Sequence, residues 1–336
     1  MAEMNAPAPW IGRQAQQLLA QRGHAWLLHG PSGLGQYRLA LELAQAWLCD
    51  APVAEGACGE CSGCHAVAAR GHTDLAVLMP ETTMLALGWP LSEKAQKEID
   101  DKARKASKEI RVEAMRDTVE FAQRTSGRGR GKVVLVYPAE RMNAITANTL
   151  LKTLEEPAGD VRFVLASEAA HQLLPTIRSR CLGHAMAWPN PAEAAEWLKG
   201  QGVKTADVAA LLRAAGDRPD DALASAQAGL DPKAWAGLPQ ALARGNGAVL
   251  ADWTPGAAVD ALLKLCHDMM AVKTGAAPRF FQVTDLPAPS SVSFGALSDW
   301  SRELVLAART VEHPFNAGLM LEALVSRARS ALNSRP

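Results

Sequence analysis

The sequence predicts an α/β domain followed by all-α segments, and three observations carry that prediction. Short apolar runs alternate with helical patterns over the first half of the chain, as a mostly parallel sheet with covering helices requires. One of those runs, Ala25-Trp26-Leu27-Leu28, leads directly into a glycine-rich loop and then a helical pattern. After Cys181 the β-type runs cease, Pro189-Asn190-Pro191 interrupts the chain, and Ala/Leu-rich helical periodicity takes over.

Taken in order, strands are expected at 25–29, 75–79, 133–136 and 162–166. Helices are expected at 38–48, 112–124 and 144–156, the last stopped by Pro157, whose ring cannot continue a helix. Residues 93–113 hold seven basic and six acidic side chains, with Glu93/Lys97, Glu98/Lys102, Asp100/Arg104 and Asp101/Lys105 at i,i+4 spacing. Near-cancelling charge at that spacing favours an exposed helical insertion over a DNA-binding arm. Arg124 to Lys132 carries four basic residues, three glycines and no acid. It reads first as a flexible turn before a strand, and second as a phosphate or partner contact. Helical periodicity over 192–228 predicts a small second domain, and a Gly/Pro-rich link around Gly229 to Pro239 leads to helices near 256–273, 293–310 and 315–332. The Pro/Ala/Ser-rich segment 274–292 is expected to be a loop between them.

With 336 residues and 48% hydrophobic content the chain can bury two or three cores. Its 35 basic and 35 acidic residues balance, so any nucleic-acid contact must come from a local patch or a shared assembly surface. The longest stretch free of Asp, Glu, Lys and Arg, Gly23 to Tyr37, is too short and too glycine-rich to span a membrane. Met1 to Asn5 has neither a basic segment nor an apolar one behind it, which points to a cytoplasmic protein.

Gly30-Pro31-Ser32-Gly33-Leu34-Gly35-Gln36-Tyr37 keeps the G-x-x-x-x-G frame of a phosphate-binding loop and lacks its chemistry. In a working loop backbone N–H groups wrap the phosphates, a Lys reaches the β/γ oxygens, and a Ser/Thr hydroxyl holds Mg²⁺. Gln36 and Tyr37 stand in those two places; one is neutral and the other is too bulky for a magnesium ligand. A second part is also missing. After the strand Val133-Val134-Leu135-Val136, where hydrolysis needs a magnesium-binding Asp, the chain reads Tyr137-Pro138-Ala139-Glu140. Gly30, Gly33 and Gly35 are therefore expected to form a silent frame.

Cys49, Cys58, Cys61 and Cys64 form C-x8-C-x2-C-x2-C, four of the chain's six cysteines within sixteen residues. In a reducing compartment such a cluster points to tetrahedral thiolate ligation of a structural Zn²⁺, pinning an excursion without a core of its own. Cys49 is expected at a helix end and the other three on a Gly-rich loop. Cys61-Ser62-Gly63-Cys64-His65 also spells a c-type haem attachment motif, but that reading needs an export route and leaves Cys49 and Cys58 unused. Four cysteine ligands leave no open position for a catalytic water.

Three strings, taken together with the four-cysteine module, carry a family resemblance. They are Asn148-Thr149-Leu150-Leu151-Lys152-Thr153-Leu154-Glu155-Glu156-Pro157, Pro175-Thr176-Ile177-Arg178-Ser179-Arg180-Cys181, and, more weakly, His313 to Leu324. With them the chain resembles the delta-prime family of bacterial DNA polymerase III clamp-loader subunits, of the AAA+ class. The resemblance implies an AAA+ P-loop-type parallel sheet domain with a zinc module at 49–64 (1–186), a small helical lid domain (187–229) and a C-terminal helical collar domain for oligomerisation (230–336). It implies that Arg180, within Ser179-Arg180-Cys181, is an arginine finger acting in trans, on ATP bound by a neighbouring subunit. Implied partners are tau/gamma-type ATPase subunits, a delta subunit, the sliding clamp and primer-template DNA, with no membrane. No ATPase activity is expected of the isolated chain, which would be a component of the DNA-directed DNA polymerase holoenzyme.

Two departures from the family pattern stand out. The segment 81–109 is longer and more charged than the usual connection. Gly216-Asp217-Arg218-Pro219 is out of register with the nucleotide-sensing Gly-Ser-x-Arg of active members, which agrees with a silent site. Lys152 remains open between a DNA-facing residue and an ordinary solvated lysine. The competing functions are an autonomous P-loop ATPase, which magnesium-dependent turnover by the isolated chain would reveal, and a zinc-dependent binding or redox module, in which a Cys61→Ser variant would stay folded and lose only partner binding.

Overall fold

The computed structural model describes residues 8–311, 313 and 316–334, in two compact units that meet at Glu193/Ala194. Met1 to Asn5, and Pro314 and Phe315 of the His313 to Leu324 string, lie outside the described residues.

The first unit opens with α1 (Pro9–Leu19), β1 (Ala25–His29), α2 (Gln36–Leu48) and α3 (Ser62–Ala68). It continues with β2 (Leu75–Leu78), α4 (Glu81–Ala86), α5 (Glu93–Asp100), α6 (Val112–Gln123) and β3 (Lys132–Val136), then α7 (Ala144–Glu155), β4 (Val161–Ser167), α8 (Pro175–Arg178) and β5 (Leu182–Ala185). The sheet is all parallel in the order β2-β3-β4-β1-β5. Strand β3 is buried along its whole length and β4 nearly so, which explains why they read as continuous apolar runs and not as alternating ones. The expected α/β domain with a parallel sheet, followed by an all-helical region, is thus present. Strand β1 lies between β4 and β5, so the glycine loop leaves the carboxyl end of a central strand, where open α/β sheets place their ligands.

Several expectations need correction. Strand β5 follows Cys181, where β structure was expected to cease; Leu182-Gly183-His184-Ala185 lacks an apolar pattern and is largely exposed, and its pairing with β1 makes it a strand. Helix α1 was not anticipated, although Pro9 at its start and the spacing of Trp10, Gln14 and Leu18 mark it. The charged insertion 93–113 is not one solvated helix. Helix α5 ends at Asp100, Lys102 turns into the left-handed region at φ 55°, and Arg104 folds back to clamp the buried Glu81 at 2.6 and 2.8 Å. Glu81 also accepts the Ser107 N–H at 2.8 Å, so the insertion closes around a buried ion pair.

The second unit contains α9 (Pro191–Gly200, from Ala194), α10 (Thr205–Ala214), α11 (Pro219–Gln227), α12 (Pro232–Ala243), α13 (Pro255–Lys273), α14 (Phe294–Thr310) and α15 (Ala317–Leu332). Leu198, Val208, Leu211 and Leu223 centre one hydrophobic cluster, and Trp235, Leu262, Phe281, Trp300 and Leu324 centre a larger one. The expected link at Gly229 to Pro239 is largely helix α12. Asp231 caps it, Pro232 occupies the first turn where no N–H is needed, and the buried Trp235, Leu238 and Leu242 outweigh the bond lost at Pro239. Asp268, fully buried, accepts the backbone N–H groups of Arg279, Phe280 and Phe281 at 2.7 to 2.9 Å and so orders the start of the loop 274–292.

Candidate functional site

The glycine loop has the backbone of a phosphate cradle and the side chains of a closed one. Gly33 (φ 76°) and Gly35 (φ 93°) adopt the left-handed conformation that lets the chain wrap into helix α2. Gln36, at the lysine position, is 2% exposed and donates its amide to the Gly30 and Pro31 carbonyls at 3.0 and 2.7 Å. It therefore ties the loop to itself. Tyr37, at the hydroxyl position, stacks on Tyr137 at 5.3 Å between ring centroids and accepts the Trp89 indole N–H at 2.6 Å. Burial pushes the Tyr37 phenol up from its ordinary pKa against the opposing Trp89 hydrogen bond, so it stays neutral. Tyr137 follows β3, where the magnesium-binding Asp was sought, and donates to Glu168 at 2.8 Å. Glu140 accepts Ser167 Oγ at 2.8 Å and serves as a brace between two strand ends.

At the opposite, amino end of the strands, Arg180 sits two residues before β5, the neighbour of β1. Its Nε donates to Glu155 and its Nη1 to the Thr176 carbonyl at 2.8 Å, while Nη2 pairs with Glu155 as well. The Leu-Glu-Glu-Pro and Ser-Arg-Cys strings, far apart in sequence, thus meet through Glu155 and Arg180. Arg180 keeps 32% of its side chain exposed. A guanidinium has five N–H donors, so about two are left over after these contacts. Ser179 donates to the Thr176 carbonyl at 3.2 Å, and burial raises the Cys181 thiol to about 11, which makes it a packing residue and no nucleophile. Because Trp26 pairs with Leu182, Gly30 lies four residues of strand beyond the start of β5, about 13 Å at 3.3 Å per residue, and Arg180 precedes that start. Lys152 is exposed on helix α7.

The four cysteines converge. Their sulfurs all lie within 4.8 Å of one another, with Cys49–Cys58 at 3.5 Å, Cys49–Cys61 at 3.7 Å and Cys58–Cys64 at 3.9 Å. Four sulfurs about 2.3 Å from a shared ion would stand about 3.8 Å apart, so the group can hold a metal. Backbone N–H groups of Asp50, Cys58, Cys61 and Cys64 point at the sulfurs at 3.3 to 3.4 Å, as thiolates require. Burial opposes ionisation of Cys61, but the N–H groups of Cys64 and Asp50 overcome it and hold this thiol down at about 6. Burial instead pushes Cys49 and Cys64 up, because four adjacent thiolates need a cation to be stable together. Cys61 and Cys64 both belong to this set, which leaves no role for haem. Cys64 lies on α3, capped by the Cys61 sulfur, and not on a loop as expected.

The segment Arg124 to Lys132 is ordered, contrary to the flexible turn expected. Asp74, 1% exposed, accepts Gly127 N, Arg128 N and Ser126 Oγ at 2.8 to 3.0 Å and pairs with Lys132 at 3.3 Å. The Arg128 guanidinium reaches Asp50, beside Cys49, at 2.8 Å.

Residues 13–187 match the family model described as DNA polymerase III, delta subunit, which covers more than half of the chain. The chain belongs to that family. Among its relatives, DNA polymerase III subunit delta' of Pseudomonas aeruginosa is 43% identical over 192 residues, 56% of this chain and 52% of that protein. The delta' subunit of Escherichia coli is 33% identical over 222 residues, 64% of this chain and 60% of that one. The chain therefore spans about half to three-fifths of the length of these relatives. The tau subunit of E. coli polymerase III is 32% identical over 159 residues, 47% of this chain and 21% of its own length.

The family match contains the glycine loop, the four cysteines and Arg180, and ends before the second unit. Sequence reading brought those residues forward singly and missed what holds them. Glu155 stands at the end of α7, and an acid at a helix end in a string that accompanies an arginine motif is itself a signal of pairing. Trp89, a lone aromatic beside the charged insertion, and Asp50, next to a metal-binding cysteine, gave comparable hints. No helix among the described residues is long and apolar enough to cross a membrane.

Proposed function

We infer that this chain is a non-hydrolysing, delta-prime-like clamp-loader subunit that supports ATP-dependent loading of the sliding clamp on primed DNA. One observation carries the reading: Gln36 replaces the phosphate-loop lysine and is tied to the loop's own carbonyls, while Arg180 stands partly exposed at the opposite end of the strands. An arginine so placed cannot reach a nucleotide on its own loop. It is suited to the γ-phosphate of ATP on a neighbouring tau/gamma-type subunit, where a planar, permanently charged fork stabilises the transferring group. Similarity to both delta' and tau chains supports a shared ATPase ring, completed by a delta subunit and encircling primer-template DNA. In this reading residues 1–186, 187–229 and 230–336 are the AAA+ domain, lid and oligomerising collar of a cytoplasmic protein.

The metal would be Zn²⁺, held by Cys49, Cys58, Cys61 and Cys64, and its role structural: it supplies the positive charge that lets four thiolates pin the segment between α2 and α3. The chain's own residues prepare the site through N–H groups aimed at the sulfurs. The test is reconstitution with tau/gamma-type and delta chains, clamp and primed DNA. Arg180→Ala should assemble normally and lose most DNA-stimulated ATP turnover and clamp loading. Unchanged turnover would refute the finger, and failure of the wild-type chain to join the assembly would refute the function.

A further inference from the structure

At the amino end of β3 and β4, the end of the sheet away from the glycine loop, lies a cleft of about 500 Å³, walled by α1, the end of α2, the turn 52–56 and the segment Gly129-Arg130. Leu19 and Val53 supply apolar surface, and Val53 is 50% exposed. The Arg162 guanidinium lies 5.6 Å over the Trp47 ring and pairs with Asp160 at 3.2 Å, so its charge is already answered. Arg130 is different. It lines the same cleft, its Nε is buried without a hydrogen-bond partner, and its side chain makes no ion pair among the described residues.

The cleft is built, not accidental. Gly131 turns at φ 81°, where any Cβ would stand 2.7 Å from Asp160, and Lys132 N donates to the Asp160 carbonyl at 2.8 Å. Those contacts fix the arginine segment against β4. On the facing wall, Val53 and Gly56 exchange backbone hydrogen bonds at 2.9 and 3.1 Å, which holds the turn in the cysteine module. A buried guanidinium nitrogen with no acceptor is costly, and a structure that keeps one in a cleft is short of an anion there.

We propose that this cleft binds a peptide segment of a partner protein through one carboxylate, taken by Arg130, and an adjacent apolar or aromatic side chain laid against Trp47, Leu19 and Val53. The charge count selects the carboxylate. Of the two cations that line the cleft, Arg162 is paired with Asp160 and Arg130 has no ion pair among the described residues, so one negative charge is called for, and the planar Arg130 fork can donate to two carboxylate oxygens side by side. The volume admits about two residues, and the aromatic and apolar walls favour a side chain over a free inorganic ion.

The probe is N-acetyl-aspartyl-phenylalanine amide, titrated into the full chain and followed by calorimetry. Binding should weaken at least tenfold when the peptide carries asparagine, when Arg130→Gln removes the cation, or when Val53→Trp fills the cleft from an exposed position. Three results would overturn the proposal: no binding at millimolar peptide, equal binding of the asparagine peptide or of the substituted chains, or displacement of the peptide by an equal concentration of inorganic phosphate. Should Arg130→Gln fail to fold, the Val53→Trp chain and the asparagine peptide still decide the matter.

Discussion

The glycine loop and the Arg180 segment lie at opposite ends of two neighbouring strands and treat their polar groups in opposite ways. Around the loop the side chains at the lysine, hydroxyl and acid positions are engaged inside the molecule: Gln36 on two carbonyls, Tyr37 on Trp89 and Tyr137, Glu140 on Ser167. At the other end Arg180 rests on an acid that is itself 45% exposed, and keeps donors to spare. A phosphate arriving at the loop must break buried hydrogen bonds, each with an unsatisfied group left behind. One arriving at Arg180 displaces only a surface pair, which is worth little. The contrast separates a retained architecture from a retained chemistry.

The largest expected effect tests whether Arg180 acts as a fork or merely as a charge. In the reconstituted assembly Arg180→Lys should reduce DNA-stimulated ATP turnover by on the order of 10³, close to the loss with Ala, because an ammonium cannot span two phosphate oxygens. Lysine restoring most of the rate would reduce the role to charge. The reverse exchange at the loop, Gln36→Lys with Tyr37→Thr, should give the isolated chain no turnover, since the acid after β3 is still missing; measurable magnesium-dependent hydrolysis would erase the contrast.

Next in size is Asp74, which separates the basic groups that are structurally committed from the one that is not. Asp74→Asn leaves Lys132 buried without its counter-charge and should lower unfolding stability by about 3–5 kcal/mol in denaturant titration. Burial opposes ionisation of this carboxyl, but Gly127 N, Arg128 N, Ser126 and Lys132 hold it below the usual carboxylate range. A depressed native pKa means that its stabilisation is complete above about pH 4, the unfolded value, and is lost as pH falls through the native one. The wild-type chain should therefore lose stability on acidification below about pH 4, and the Asp74→Asn chain should lose less. Equal acid slopes would show that other carboxyls dominate. Gln36→Ala ranks lower, at about 1–3 kcal/mol, the cost of leaving the Gly30 and Pro31 carbonyls unpaired.

How much of this was legible in the sequence depended on whether a feature is local. Strands β1 to β4 and helices α2, α6 and α7 announce themselves through apolar runs and period, and the four cysteines through spacing alone. Strand β5 does not, because an exposed four-residue edge strand is specified by its neighbour and hardly by its own side chains. The charged insertion misled for a similar reason. Its i,i+4 pairs were real as spacing, yet Arg104 pairs with Glu81, 23 positions away, because a buried carboxylate binds an arginine more strongly than an exposed one does. The missing lysine and hydroxyl of the loop could be read from the sequence, while the tie of Gln36 to the Gly30 and Pro31 carbonyls needed coordinates.

The smallest stability effect addresses the link between the two family strings. Glu155 takes Nε and Nη2 of Arg180, and Thr176 takes Nη1, so the guanidinium is held in one plane with donors to spare. Two opposite consequences are conceivable for Glu155→Gln. If the carboxylate mainly screens the arginine, removing it should strengthen attraction to phosphate and raise turnover. If it mainly orients the fork, the neutral amide oxygen holds Nε and Nη2 less firmly than the charged Oε1 that takes both, and the misaligned fork should lower turnover by about tenfold, within the range that small misplacements cost. The geometry favours orientation, since both carboxylate-facing nitrogens belong to one rigid edge of the guanidinium and Thr176 fixes the third. The expected outcome in the assembly is a fall in the maximal rate with an unchanged KM for ATP, and a stability change below about 1 kcal/mol in the isolated chain, as for an exposed pair. A rise in turnover would show that Glu155 restrains Arg180, and the two ends of the sheet would then differ less than their geometry implies.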